Sequence, residues 1–229
     1  MPTANSVRFI VSGTLPTTKL ELKDSMGYIE PTSKSLVTED NIKFKVYNCL
    51  FAKNKNQTIR YYDAINGEFV DLDEYQRTFR FHIFYNRARN MLILDTNAAV
   101  VKAFFSILAK MDENERLEVK TYNLDYSFID RMFKTAKTIR FKSNDKGVNS
   151  KAFNGNEVTT NQEAIKAIKK DNVTSIVGVL DVRKKACTVS VSKTGSIACY
   201  STLPASLLKK EYPLLEFTTE VLKELQLIS

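Results

Sequence analysis

Tryptophan is absent from the 229-residue chain, histidine occurs once, cysteine three times and glycine seven times. Each scarcity closes a route to chemistry. With His82 as the only imidazole, any Ser-His-Asp or Cys-His arrangement has to pass through one residue between Phe81 and Ile83. No serine or cysteine nearby has the setting of an activated nucleophile. His82 therefore reads as a surface or packed strand residue. A His-Cys zinc site lacks enough ligands at suitable spacing. Neither GxGxxG nor GxxxxGK[ST] occurs, so dinucleotides and nucleotides lack their usual glycine cradle. No cofactor is implied and no metal site is expected.

Cys49, Cys187 and Cys199 form no CxxC pair, and each lies in a strand-like run where free cysteine behaves as a small hydrophobe. "ACTVSVSKTGSIACY" reads as a hairpin turning over Lys193 to Ser196. A two-residue loop at Thr194-Gly195 would set Val189 against Tyr200 and point Cys187 and Cys199 to opposite faces. The cysteines are thus expected to stay unbridged, in a reducing, cytoplasmic setting. No stretch approaches the roughly 20 apolar residues that span a bilayer. The N-terminus has no cationic region before its short apolar run, unlike a signal peptide. A soluble protein without a membrane partner is expected.

What is abundant is positive charge, and it is unevenly placed. Residues 1–75 carry 9 basic and 10 acidic groups, residues 76–185 carry 21 and 12, and residues 186–229 carry 4 and 4. The net +8 thus arises in the middle of the chain. Residues 131–170 alone hold 10 basic groups against Asp145, Glu157 and Glu163. A concentrated excess of this kind is the usual footprint of a polyanion partner.

Periodicity supports an α+β fold. It comprises an antiparallel β-rich N-terminal part, a central β-α-β-α-β unit, and a C-terminal helix plus β-meander. Early strands are expected at 6–12, 19–23 and 42–52. "TIRYYDAINGEFVDL" suggests a hairpin with Asn66-Gly67 as a type I′ turn. "RTFRFHIFY" and "NMLILD" read as strands. A helix over about 97–111 follows, capped by Asp95, Thr96 or Asn97. "RLEVKTY" is the next strand.

Ile129, Met132, Phe133 and Ala136 share one face of a helix expected over 126–137. In the following strand "TIRFK", Ile139 and Phe141 point inward, Arg140 and Lys142 outward. Residues 143–159 show no periodicity and read as a long loop. Thr160-x-x-Glu163 reads as a capping box, opening a helix with Ile165 and Ile168 inward and Lys166, Lys169 and Lys170 outward. Strand "SIVGVLDV", the Arg183-Lys184-Lys185 turn, the last hairpin and a helix over about 217–227 complete the chain. Residues 143–160 are the expected linker between an α+β lobe at 1–142 and a smaller α+β lobe at 161–229. One continuous domain is the alternative.

Two patterns carry chemistry. Asp95 followed by Glu118-x-Lys120 resembles the metal-dependent nuclease signature, in which carboxylates hold a divalent metal and the lysine orients water. If the helix between them makes a right-handed crossover, however, Asp95 ends one strand while Glu118 begins the next, at opposite ends of the sheet. The second pattern is the cationic set Arg131, Lys134, Lys137, Arg140, Lys142, Lys146, Lys151, Lys166, Lys169 and Lys170. On a shared surface these residues suit phosphate recognition. Tyr122, Tyr126 and Phe153 lie nearby as candidate stacking platforms for single-stranded bases. The leading expectation is a non-catalytic or accessory protein binding DNA or RNA. An interaction subunit for an acidic protein partner and a nuclease are the alternatives. Basic-faced proteins of this size are frequent in conflicts between bacteria and phages. An antiviral setting is accordingly a background expectation, not one read from these residues.

Overall fold

A computed structural model describes residues 3–23, 26–122, 124–128 and 132–228, apart from the side chains of residues 3, 55, 56 and 128. It is mixed but strand-rich, 47% strand against 21% helix, so the class is α+β built on an open antiparallel sheet. The first strand, β1 (Thr3–Ser12), is followed by β2 (Leu20–Glu21), β3 (Gly27–Val37), β4 (Lys43–Asp63), β5 (Glu68–Asn86) and β6 (Met91–Leu94). Helix α1 (Ala98–Leu108) leads to β7 (Glu118–Lys120), β8 (Thr135–Lys142) and β9 (Ser150–Asn154). Helix α2 (Gln162–Lys169) precedes β10 (Val173–Val182), β11 (Lys185–Ser192) and β12 (Ser196–Cys199). Helices α3 (Ala205–Leu208) and α4 (Pro213–Glu224) follow.

The strand order is β2-β3-β4-β5-β6-β1-β12-β11-β10-β8-β9, with β7 added to β1. One strand makes this continuous. β1 pairs with β12 through residues 3–6, with β6 through residues 6–9, and with β7 through residues 9–12. Because Phe9 faces both Met91 and Lys120, β6 lies on one edge of β1, and β12 and β7 share the other in series.

Two cores form on opposite faces of the sheet. In β6, Met91 and Ile93 join one while Leu92 and Leu94 join the other. All four residues are buried, which is why the segment reads as an unbroken apolar run. Helix α1 covers one core with Val100, Val101, Phe104, Phe105 and Leu108. The Phe104 ring meets Phe81 edge-on at 5.1 Å and Phe51 at 5.9 Å. Asn97 caps α1 by accepting from the Val100 amide. Helix α4 helps to cover the other core with Leu215, Phe217, Val221 and Leu222. It is tied to β1 by Asn5, whose amide donates to the Leu214 carbonyl and the Thr218 hydroxyl. Beyond the core, β4 and β5 continue as a two-stranded arm from the Lys53–Arg77 pair to the Asp63–Glu68 pair. At ~3.3 Å per residue the arm is roughly 33 Å long.

Several local expectations are corrected. The arm's hairpin is present, but its turn spans four residues. Gly67 takes φ +70° while Asn66 does not, and Asp63 accepts from the Ile65 amide. The helix expected over 126–137 does not run that length: Tyr126–Phe128 is a 3-10 turn, Met132 is helical, and residues 135–137 already belong to β8. A bulge at Lys137 lets Ala136 and Ile139, three residues apart, face the same core. Ile129 and Arg131 lie outside the described residues.

The loop expected over 143–159 contains β9, an edge strand whose one large apolar side chain is Phe153. The cap of α2 is Asn161, which accepts from the Glu163 and Ala164 amides. The Thr160 hydroxyl turns back to the Glu157 carbonyl, so no capping box forms. The buried face of α2 is Ala164 and Ala167, with Ile165 and Ile168 half-buried beside it. In the last hairpin a three-residue turn, Lys193–Gly195 with Gly195 at φ +77°, sets Val189 against Cys199 and Val191 against Ile197. That one-residue change of register turns every β12 side chain over. Cys187 and Cys199 therefore face the same core, both buried and free.

The β10–β11 turn is held from outside. Arg183 and Lys184 both have positive φ, at 52° and 64°, as a type I′ turn needs. That geometry costs a residue with a Cβ roughly 1–2 kcal/mol. The Arg183 guanidinium offsets this by pairing with Glu39 and with Glu220, at 2.7 Å from Nε, while Glu216 lies 3.8 Å away. Lys210 reaches Glu39 at 2.5 Å and Lys223 reaches Asp40 at 2.8 Å. The cluster thus locks the β3–β4 turn to α4 and to the β10–β11 turn. Burial pushes the Glu216 carboxyl above its ordinary value and Arg183 pulls it back. Arg183→Ala leaves three carboxylates facing one another and is expected to cost about 3 kcal/mol in urea denaturation. No loss of stability would refute this role.

Candidate nucleic-acid interface

The cationic residues gather around one end of the sheet, on both sides of its edge. In β8, alternation buries Ile139 and Phe141 and exposes Arg140 and Lys142 on the opposite face. Arg140 and Lys142 are roughly 7 Å apart along the strand. Lys137 projects from the bulge and is exposed. Ala164 and Ala167 seat α2 against the core side of β8, leaving Lys166, Lys169 and Lys170 exposed on the other side of the sheet. Lys146 is exposed on the β8–β9 turn, next to Gly147 at φ +78°. Among the described residues, none of these seven has a carboxylate partner within ion-pair distance.

Two members of the set are engaged. Lys134 pairs with Asp181 across β10. Lys151 lies between Asp145, at 2.8 Å, and Glu163, at 2.5 Å, joining the turn to α2. Both hydrogen bonds raise its ammonium pKa. A small cavity of about 150 Å³ at this end is lined by Lys142, Lys151, Lys166 and Lys170 together with Asp145 and Glu163. Arg131 lies outside the described residues. The cations therefore wrap around an edge rather than forming one flat patch.

Of the three expected stacking platforms, two are buried and Phe153 is half-buried. Tyr122 and Tyr126 are 6% and 1% exposed, and burial pushes their hydroxyls well above the ordinary tyrosine range. Phe153 packs on Phe141, with ring centres 5.5 Å apart.

The nuclease-like residues do not converge. Leu94 faces Ser6 and Glu118 faces Ser12, so Asp95 and Glu118 lie about six residues apart along β1, roughly 20 Å. β6, α1 and β7 do form a crossover between parallel strands, with β1 lying between them. Asp95 is occupied with His82, accepting from its backbone amide at 2.5 Å and meeting Nδ1 at 2.7 Å. Glu118 is held by Arg116 and by the Ser12 hydroxyl at 3.2 Å, and Lys120 is exposed. Among the described residues, no group of three His, Cys, Asp or Glu side chains could hold a metal ion. No helix among them is long and apolar enough to cross a membrane.

Two features were missed by sequence reasoning. The pairing of His82 with Asp95 depends on β5 and β6 being neighbours, which the spacing of 13 residues does not signal. The burial of Arg8 within "SVRFIVS" looks, in sequence, like ordinary outward alternation. The chain matches no protein-family model and no curated protein. Asp95 secures two strands, so Asp95→Ala should cost about 1–3 kcal/mol in chemical denaturation. Glu118→Ala removes only a surface pair and should cost less than about 1 kcal/mol. The reverse order would mean that these two carboxylates have been assigned the wrong structural roles.

Proposed function

We propose that the protein is a non-catalytic nucleic-acid-binding protein whose contact surface is the cationic edge formed by β8, β9 and α2. The observation that carries this reading is the set of seven exposed cations there with no carboxylate partner among the described residues: Lys137, Arg140, Lys142, Lys146, Lys166, Lys169 and Lys170. An unneutralised cluster keeps its field. Phosphate oxygens satisfy such groups without base readout, so binding is sequence-independent. The wrapped arrangement suits a flexible strand that bends over the edge better than a rigid flat partner. With Tyr122 and Tyr126 buried, affinity rests on counterion release and falls steeply with salt.

A second reading is favoured by one observation. β9 is the terminal strand, so its outer edge is open to another strand. An acidic protein segment could add there by β-augmentation, with its carboxylates meeting the same lysines. Retention of a protein partner after nuclease treatment would favour that reading.

Fluorescence anisotropy with a labelled oligonucleotide of about 30 residues separates these outcomes. With about five phosphates neutralised, affinity should fall roughly 10²-fold between about 50 and 200 mM salt. The triple variant Lys137→Glu, Arg140→Glu, Lys142→Glu should lose more than about tenfold in affinity, while Lys134→Ala should lose little. Absence of binding at the lower salt, or affinity indifferent to salt, would remove the proposal.

A further inference from the structure

Arg8 lies four strands away from the cationic edge, where β1 changes partners. Residues 3–6 of β1 pair with β12 and residues 9–12 with β7, which leaves a gap on that edge beside Val7 and Arg8. The Lys193–Gly195 turn fills part of it: the Gly195 carbonyl accepts from the Val7 amide at 2.7 Å. Arg8 is 6% exposed, and its Nη1 donates to the Val7 carbonyl at 2.7 Å. No carboxylate among the described residues pairs with it. A guanidinium carries five N–H donors, so most of its capacity is unspent. Buried charges are ordinarily paired, because burial without a counter-charge is unfavourable. Desolvation accordingly lowers the pKa of this group.

The surroundings are shaped for the guanidinium. A Cβ on Gly195 would lie 2.3 Å from Arg8 Nη1 and 2.5 Å from the Val7 oxygen, so only glycine lets the turn close over it. Arg8 lines a groove of about 740 Å³ between α1, β7 and β1. That volume lies in the range of small-molecule sites. The groove's apolar lining includes Phe105 of α1, Leu117 and Val119, with exposed Val11. On the same helix Ala98 and Ala99 leave room, and exposed Lys102 supplies a second cation with no carboxylate partner among the described residues. Of the other charged groups on the groove, Glu118 is held by Arg116 and Lys193 is bound to Asp171 at 2.6 Å.

We infer that this groove binds a small organic oxyanion, with the anionic head on Arg8 and Lys102 and an apolar body against Phe105, Leu117 and Val119. The planar guanidinium offers paired N–H groups to two oxygens of a phosphate monoester or a carboxylate, and the two share that chemistry. The site is separate from the edge cluster, and its occupancy does not depend on nucleic-acid binding.

The test is calorimetric titration of the full chain with phenyl phosphate, benzoate and phenol, alongside thermal unfolding. Phenyl phosphate or benzoate should bind and raise the melting temperature, the tighter of the two naming the head group, while phenol should do neither. Arg8→Met should weaken binding by at least about tenfold, the loss expected for a charged hydrogen-bond donor. Its ligand-free melting temperature should stay level or rise, since an apolar side chain of similar length removes an unpaired buried charge. Should that variant fail to fold, Ala99→Trp, which fills the groove from an exposed position, should abolish binding, and Lys102→Ala should weaken it. Binding of neither anion up to about 10 mM, a concentration that would reveal even a millimolar site, overturns the inference. So does undiminished binding in Ala99→Trp.

Discussion

The molecule depends on the pairing of β1. Ten residues serve three partner strands, and in doing so they join the β2–β6 half of the sheet to the β8–β12 half. Strand alternation then assigns the faces. Asn5 and Val7 point toward the core beneath α4, while Ile10 points toward the core beneath α1. The same pairing puts Asp95 and Glu118 at opposite ends of one strand, so a shared metal cannot form there. It also creates the gap at Val7 and Arg8, where backbone pairing is interrupted and a side chain takes over. Both halves are further clamped by Arg183, whose carboxylate partners come from the β3–β4 turn and from α4. A chain so joined positions the β8–β9 edge and the Arg8 groove as separate surfaces of one framework.

Much of this was legible in the sequence where one physical signal acted alone. Of the cap candidates Asp95, Thr96 and Asn97 before an apolar helical stripe, Asn97 opens α1, and Phe217, Val221 and Leu225 marked the buried face of the last helix. The alternation in "TIRFK" placed Arg140 and Lys142 outward. The signal failed where one extra residue changed the period. At Lys137 a bulge puts Ala136 and Ile139, three residues apart, on the same core. At Lys193–Gly195 a turn one residue longer than expected reversed the facing of Cys199. β9 was illegible because a five-residue edge strand with one large apolar side chain has no pattern to detect. Arg8 was illegible for the opposite reason: its strand pattern is ordinary, and its burial comes from residues more than a hundred positions away, at Thr121 and Gly195.

The candidate interface was legible in composition but not in shape. Clustering in sequence did become clustering in space, because β8, β9 and α2 are consecutive and pack on one another. Composition could not reveal which cations are spent on structure. Lys151 secures the turn to α2 and Lys134 secures β8 to β10, each through carboxylates on adjoining elements. Such pairs have little field left to offer a partner. The unpaired residues keep theirs, at a solvent boundary where the Debye length is about 8 Å at physiological salt. Arg140 and Lys142, roughly 7 Å apart along β8, lie within that distance. Of the aromatic residues nearby, Tyr122 and Tyr126 serve the core and Phe153 is half-buried against it.

Lysine-reactivity footprinting, read by mass spectrometry with and without saturating single-stranded DNA, tests the central claim most directly. The account requires protection of Lys137, Lys142, Lys146, Lys166, Lys169 and Lys170, with Lys102 and the lysines of the β4–β5 arm unchanged. Protection confined to the arm or to α1, or a pattern identical with and without DNA, would contradict it.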